Sequence, residues 1–231
     1  MSGERTSFFL FNLIIIFLLI FLNNFNFQKI LFLIIYIITT LVILSTDSPF
    51  KQRIIDLTIK QIKKESSYKG EVFIFSKQYH EHYSSSWNMF KDNMLIGIGP
   101  KNFREICKKK KYNFSELTCS THPHNTYFQI LSETGLFGFV IIFIVNLIVW
   151  LILFKNLFNR IFYKKTKISN FQISLLIFVA ICLWPFAPSG SFFNNWNSAI
   201  YYLPIGILLW SFRYNNELYT SKKIKKKYLQ N

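Results

Sequence analysis

Five apolar stretches separated by basic segments constrain this chain more than any other feature. They fall at about Ser7–Leu22, Ile30–Ser45, Phe128–Phe154, Ile168–Pro188 and Asn195–Phe212. A bilayer core about 30 Å thick takes about 20 helical residues, so the shorter runs must recruit flanking Thr, Asn, Trp and Tyr. The third run, at about 1.5 Å per residue, reaches about 40 Å and projects beyond the hydrocarbon. The chain has 231 residues, of which 51% are hydrophobic, yet its formal charge is +16. Soluble domains of this size rarely combine those values, whereas a membrane protein with basic loops does. The predicted fold is therefore all-α: a polytopic membrane helical bundle of about five transmembrane helices with a large extracytoplasmic loop domain. The alternative is that one of the first two runs is re-entrant or interfacial.

The expected organisation is two transmembrane helices in 1–46, a loop domain in 47–125 and a transmembrane helix in 126–154. A cytoplasmic loop (155–167), two further transmembrane helices (168–212) and a basic tail (213–231) follow. The first run reads as a membrane helix and not a cleaved signal, because Arg5 is offset by Glu4 and no small-residue cleavage site follows Leu22. Short basic loops stay in the cytoplasm. Lys155, Arg160, Lys164, Lys165 and Lys167 mark one such loop, and Arg213 with the lysines of 222–227 marks the tail. Counting back gives an N-out, C-in chain with the long 46–125 segment outside. That segment is itself basic, with 14 Lys+Arg against 8 Asp+Glu, but long loops obey the rule poorly. An exposed N-terminus without a signal is the arrangement expected of the C-terminal part of a longer membrane protein, the alternative being a complete small one.

Within the loop, Ser48 before Pro49 is a helix-start signal, and Phe50, Ile54, Leu57 and Ile62 recur at near-helical spacing. Residues 68–75 (YKGEVFIF) fit a short strand. A helix is predicted through Trp87, Met89, Phe90 and Met94, stopped by Gly97, Gly99 and Pro100. Cys107 and Cys119 lie in the segment placed outside, where disulfides persist, and a disulfide between them is expected. Closing so short a loop contributes about 3 kcal/mol in the chain-entropy account. Cys182, in an apolar run, is a small hydrophobe.

The stretch STHPHNTYFQ (120–129) raises the question of chemistry. Pro123 disfavours helix at His122, so a helix is expected to begin around His124–Thr126. His124 then stands at a helix N-terminus, where free N–H groups favour an anion and hold an imidazole neutral. A base beside an anion site fits transfer from a phosphorylated donor, while an interfacial histidine is the plain alternative. Gly135 and Gly138 form a small-x-x-small pair suited to close helix packing.

His124-Asn125, nine residues, then Gly135-x-x-Gly138 resembles the signature of the O-antigen ligase and polymerase family. NMFKDNMLIGIGPKNFREIC (88–107) is similar to that family's Gly-x-Gly-Pro-x-x-Phe segment, and SGERTSFF (2–9) resembles its arginine-bearing helix end. The likeness covers about Ser2–Leu153. It implies an all-helical enzyme of the bacterial inner membrane, with a periplasmic active loop and roughly twice this many spans. It implies metal-independent glycosyl transfer, without a cofactor, from an undecaprenyl-pyrophosphate-linked glycan to a lipopolysaccharide-core or glycan acceptor. On matching positions His124 is the base, Arg5 and Arg104 pair with the pyrophosphate, and His122 and Asn125 orient or contact the acceptor. Membrane lipids are the other expected partners, and no nucleic acid is. Two readings compete: a zinc-dependent hydrolase drawing on His80, His82, Cys107, Cys119, His122 and His124, and a non-catalytic or incomplete membrane fragment.

Overall fold

The computed structural model describes residues 5–23, 26–46, 49–60 and 76–228. The secondary structure of these residues is helical: α1 (Arg5–Phe21), α2 (Asn26–Ser45), α3 (Pro49–Lys51), α4 (Lys77–Asp92), α5 (Phe103–Ile106), α6 (Thr126–Tyr163), α7 (Asn170–Cys182) and α8 (Asn195–Tyr228). A π-helical turn, Gln52–Asp56, continues α3. Ser48, Ile62 and the strand expected over 68–75 lie outside the described residues.

Among the described residues two helices, Phe27–Ser45 within α2 and all of α6, are long and apolar enough to cross a membrane. Arg5–Phe21 and Asn170–Cys182 are apolar but shorter. The five expected runs do correspond to helices, but their ends differ for identifiable reasons. α6 continues past Phe154 to Tyr163, because nothing in KNLFNRIFY breaks a helix until Lys164 turns left-handed at φ 49°. The segment assigned to a loop over 155–167 is thus mostly helix. α8 similarly runs past Phe212 to Tyr228. α7 stops at Cys182, short of the Pro188 boundary, since Pro185 and Pro188 push their predecessors towards extended backbone. Its start is fixed by a capping box between Ser169 and Gln172. α4 ends at Asp92, so Met94 lies beyond it.

α1, α6, α7 and α8 share one apolar core, which includes Phe21, Leu153, Ile173, Leu176, Ile177 and Leu208. α1 and α6 run in the same direction and α7 returns between them. At one end Arg160 donates to the carbonyls of Ile20, Phe21 and Leu22 at 2.6, 3.2 and 2.5 Å. Lys29 reaches the Leu22 carbonyl there at 2.6 Å. These cations satisfy the orphan carbonyls at the end of α1. Asn23, buried beside them, exchanges hydrogen bonds with Asn170 and accepts one from Asn156. α2 rests on α1, where the Tyr36 hydroxyl donates to Asn12 at 2.5 Å, and presents Ile30, Ile34, Leu41 and Val42 outward, all about half exposed. An apolar surface of this kind suits lipid and not water.

The opposite end carries α4, α5 and the 107–125 segment. Met89, Phe103, Cys107 and Tyr112 make a second, smaller core. Cys107 and Cys119 are disulfide-bonded with Cα atoms 5.5 Å apart. Non-reducing peptide mapping is expected to recover the two linked. Free reaction of both with a thiol reagent in unreduced, denatured protein would count against that pairing.

Candidate functional site

Two backbones meet at the base of the site. Gly135 interrupts α6 with φ 64° and ψ −160°, so the helix is broken nine residues after it begins. The freed groups bond to the 94–99 segment instead: Leu136 N–H donates to the Met94 carbonyl at 2.8 Å, while Ile98 and Gly99 N–H donate to Ser132 and Glu133 carbonyls, each at 2.9 Å. A Cβ on Gly135 would overlap the Leu95 backbone, and one on Gly97 the backbone of Glu133 and Thr134. Both glycines are therefore required by approach and by positive φ. This corrects the expected use of Gly135 and Gly138 in helix packing. Gly135 seats a loop, and Gly138 faces the Thr134 side chain of its own helix.

Glu133, fully buried, braces this crossing. Its carboxylate accepts from Lys101 N–H at 2.9 Å, Phe103 N–H at 3.0 Å and the Gln129 amide at 3.1 Å. Gln129 in turn donates to Ser191 and accepts from Phe192 N–H. One buried pair thus ties the glycine loop to the 183–194 connection.

The histidine segment lies on top. His124 sits in the left-handed region at φ 59°, and Asn125 is the N-cap of α6. The Asn125 side chain accepts from Tyr127 and Phe128 N–H at 3.0 and 3.2 Å and donates to the Pro185 carbonyl at 2.8 Å. Those two N–H groups are consequently unavailable to an anion, contrary to the expectation of an open helix N-terminus. Asn125 is 3% exposed, and its bonds hold the start of α6 against the 183–194 connection.

His122 and His124 lie ring against ring, with centroids 4.1 Å apart. Both nitrogens of His122 are engaged, Nδ1 with Thr121 at 2.9 Å and Nε2 with the Ser189 carbonyl at 3.3 Å. Among the described residues His124 is held through Nε2 alone, by Ser120 at 3.0 Å, which leaves Nδ1 for an incoming hydroxyl. Burial, then the neighbouring His122 and His82, push the His124 pKa down to about 4. The cause is thus desolvation and like charge, where a helix terminus was expected.

His82, on α4, is the member that sequence reasoning placed only in a metal set. It is fully buried, its ring stacks on His124 at 5.3 Å, and neither ring nitrogen makes a hydrogen bond of ordinary geometry. The Leu117 carbonyl favours its protonated form without outweighing burial, so its pKa is lowered. Tyr79, one turn earlier, leans on the same ring of His124 at 5.5 Å. The zinc-ligand pool does not assemble: Cys107 and Cys119 bond to each other, and among the described residues no three His, Cys, Asp or Glu side chains are placed to hold a metal.

Two cavities meet beside His122. The first, about 660 Å³, is lined by Thr6, Ser7, Tyr79, His124 and the apolar ends of α1, α7 and α8. The second, about 590 Å³, is lined by Lys101, Arg104, Thr121, Asn194, Trp196 and their neighbours. His122, Gly190 and Asn197 belong to both. Arg104 therefore comes to His122, while exposed Arg5 immediately precedes the Thr6 of the His124 cavity.

The connection from Leu183 to Asn197 was missed from sequence, although it roofs the site. Ser189 N–H donates to the His124 carbonyl at 2.9 Å, and its hydroxyl bonds Thr126. The available signal was the unusual density of Pro, Gly, Ser and Asn between two apolar runs. In comparisons with known proteins, no curated protein and no solved structure matches the chain. Residues 1–143 match the family described as O-Antigen ligase, a span that holds Arg5, the glycine loop, both histidines and Gly135.

Proposed function

Because the chain belongs to the O-antigen ligase family, we propose that it moves a glycan from an undecaprenyl-pyrophosphate donor to an acceptor hydroxyl at the outer face of the bacterial inner membrane. The observation that carries this reading is His124: an imidazole held uncharged by burial, with no partner on Nδ1 among the described residues, at the junction of two cavities. The cavity of His124 sets the apolar ends of α1, α7 and α8 beside Thr6, Ser7 and Tyr79 and suits a lipid-linked donor, while the cavity bearing Lys101, Arg104 and three asparagines suits a water-borne sugar.

In the proposed step the acceptor hydroxyl gives its proton to His124 Nδ1 as its oxygen bonds to the donor's anomeric carbon. The bond from that carbon to the diphosphate breaks, and the diphosphate leaves with the electron pair. Arg104, on the wall of the cavity beside His122, and Arg5, next to Thr6 of the His124 cavity, take the leaving charge, for which a planar, permanently cationic group is best suited. His122, engaged at both nitrogens, orients the loop with Asn125. A base with a pKa near 4 is neutral but weak at pH 7. A diphosphate bound beside it raises that value, so His124 becomes a matched base only with donor in place. No cofactor enters the step.

The direct test is transfer by the purified full chain in proteoliposomes containing EDTA, undecaprenyl-pyrophosphate-linked glycan and a saccharide acceptor. Glycan joined to acceptor supports the reading; donor left intact under these conditions counts against it.

The proposed topology places the site outside, with N-out and C-in. It is supported by Arg160, Lys164, Lys165 and Lys167 clustering at the end of α6 opposite the histidines. With Ser76→Cys and Ser221→Cys in a Cys-free background, an impermeant thiol reagent on intact cells is expected to label only position 76. Labelling at 221 alone would reverse the orientation.

A further inference from the structure

We infer that the polar cavity beside His122 is the subsite for the acceptor saccharide, that Trp196 is its stacking platform, and that it favours a sugar carrying an anionic group. This rests on the transfer reading given above. It goes beyond that reading by placing the acceptor against Trp196 and the asparagines beside it, which lie outside the span matched by the family.

Trp196 stands on the first turn of α8 and is 82% exposed, although its neighbours on the cavity wall are Asn194, Asn195 and Asn197. An indole face in a wall of amides matches a pyranose, which offers C–H groups on one face and hydroxyls around its rim. The indole gives apolar contact area at little entropic cost, and each amide offers both donors and acceptors to hydroxyls.

The wall is built and not incidental. Asn194 Oδ1 accepts from Trp196 N–H at 3.0 Å, fixing the turn that presents the indole. Asn197 donates to the Ser191 carbonyl at 2.8 Å. A Cβ on Gly190 would come within 2.5 Å of the Asn197 amide, so the glycine makes room for it. Gln129 then fastens Ser191 and Phe192 to α6.

Position and charge specify the occupant. The cavity shares His122, Gly190 and Asn197 with the cavity of His124, so a sugar stacked on Trp196 extends towards the base. Lys101 and Arg104 form its other side, and no Asp or Glu among the described residues lines it. Glu105 and Glu133 act on Arg104 from outside the cavity, so Lys101 is the cation most available to the acceptor, with Arg104 shared with the leaving diphosphate. This positive wall favours a phosphate- or carboxylate-bearing sugar over a neutral one. A tryptophan at a helix end can also serve as a membrane-interface anchor, and the experiment separates the two roles.

The probe is a water-soluble phosphorylated oligosaccharide, with its dephosphorylated form as comparison. Binding to the purified full chain in nanodiscs is measured by saturation-transfer NMR without donor, so no turnover is needed. Trp196→Leu keeps an apolar residue at the interface but removes the stacking face, and is expected to weaken binding about tenfold. Trp196→Phe is expected to retain most of it. The dephosphorylated form is expected to bind several-fold more weakly to the unaltered chain. Unchanged affinity in Trp196→Leu, equal loss in both variants, or no binding by the unaltered chain would each overturn the subsite. If the oligosaccharide binds as expected but no glycan is transferred, the subsite stands and the transfer reading falls. If transfer proceeds with the same acceptor KM in Trp196→Leu, the subsite falls and the transfer reading stands.

Discussion

His124→Ala is expected to lower glycan transfer by about 10²- to 10⁴-fold, the range that a positioned proton acceptor contributes. Donor binding should change far less, because the proposed diphosphate contacts are Arg5 and Arg104. His122→Ala should cost less than His124→Ala, since its nitrogens are occupied by Thr121 and Ser189. The pH profile gives the same assignment a second readout. A base whose pKa is depressed is neutral above that value and loses function as pH falls through it. The acid limb of kcat/KM for the donor, which reports the free protein, should therefore lie near 4. The limb of kcat should lie higher, since bound diphosphate stabilises the imidazolium. Full activity of His124→Ala with an inactive His122→Ala would transfer the role to His122. Coincident acid limbs would remove the proposed coupling between donor and base.

Gly135→Ala should be the most damaging single-methyl change in the described fold. The left-handed backbone alone costs a non-glycine residue about 1–3 kcal/mol, and the added carbon also overlaps Leu95. Gly97→Ala meets the same crossing from its other side and should behave alike. The two together should cost less than the sum, because the first already parts the segments that the second would part. Gly206→Ala is the internal control: nothing lies within 4 Å of the new carbon in α8, and alanine has the higher helix propensity. Thermal unfolding in detergent should show a large fall in Tm for the first two variants and none for the third. Equal Tm for Gly135→Ala and the unaltered chain would contradict the crossing.

Much of the architecture was legible because it depends on local pattern. Apolar runs located α1, α2, α6, α7 and α8, and Pro123 located the start of α6. Helix ends were less legible, since hydropathy marks where a segment stops being apolar and not where it stops being helical. That is why α6 and α8 overran their expected limits and the prolines cut α7 short. The site was half visible. His122, His124 and the two arginines were singled out from spacing and resemblance, and the structure lines the paired cavities with the first two and Arg104. His82 joins them only because α4 lays its buried face on the histidine segment. The roof over 183–197 comes from more than fifty residues away. Gly135 was noticed for its size, yet its use depends on φ, which no spacing records.

The bonds that Arg160 and Lys29 make to the end of α1 bear on how the two arginines are mounted. α1 is about 25 Å long, with its carbonyl end clamped on one side of the bundle and its other end at the cavity. The Arg5 end is therefore positioned by the packing of the whole helix in the shared core. Arg104 is mounted locally, on a four-residue helix between the Glu133 brace and the disulfide. In the proposed reaction the two cations thus rest on separate supports, so a substitution in the bundle core would displace one and reduction of the disulfide the other.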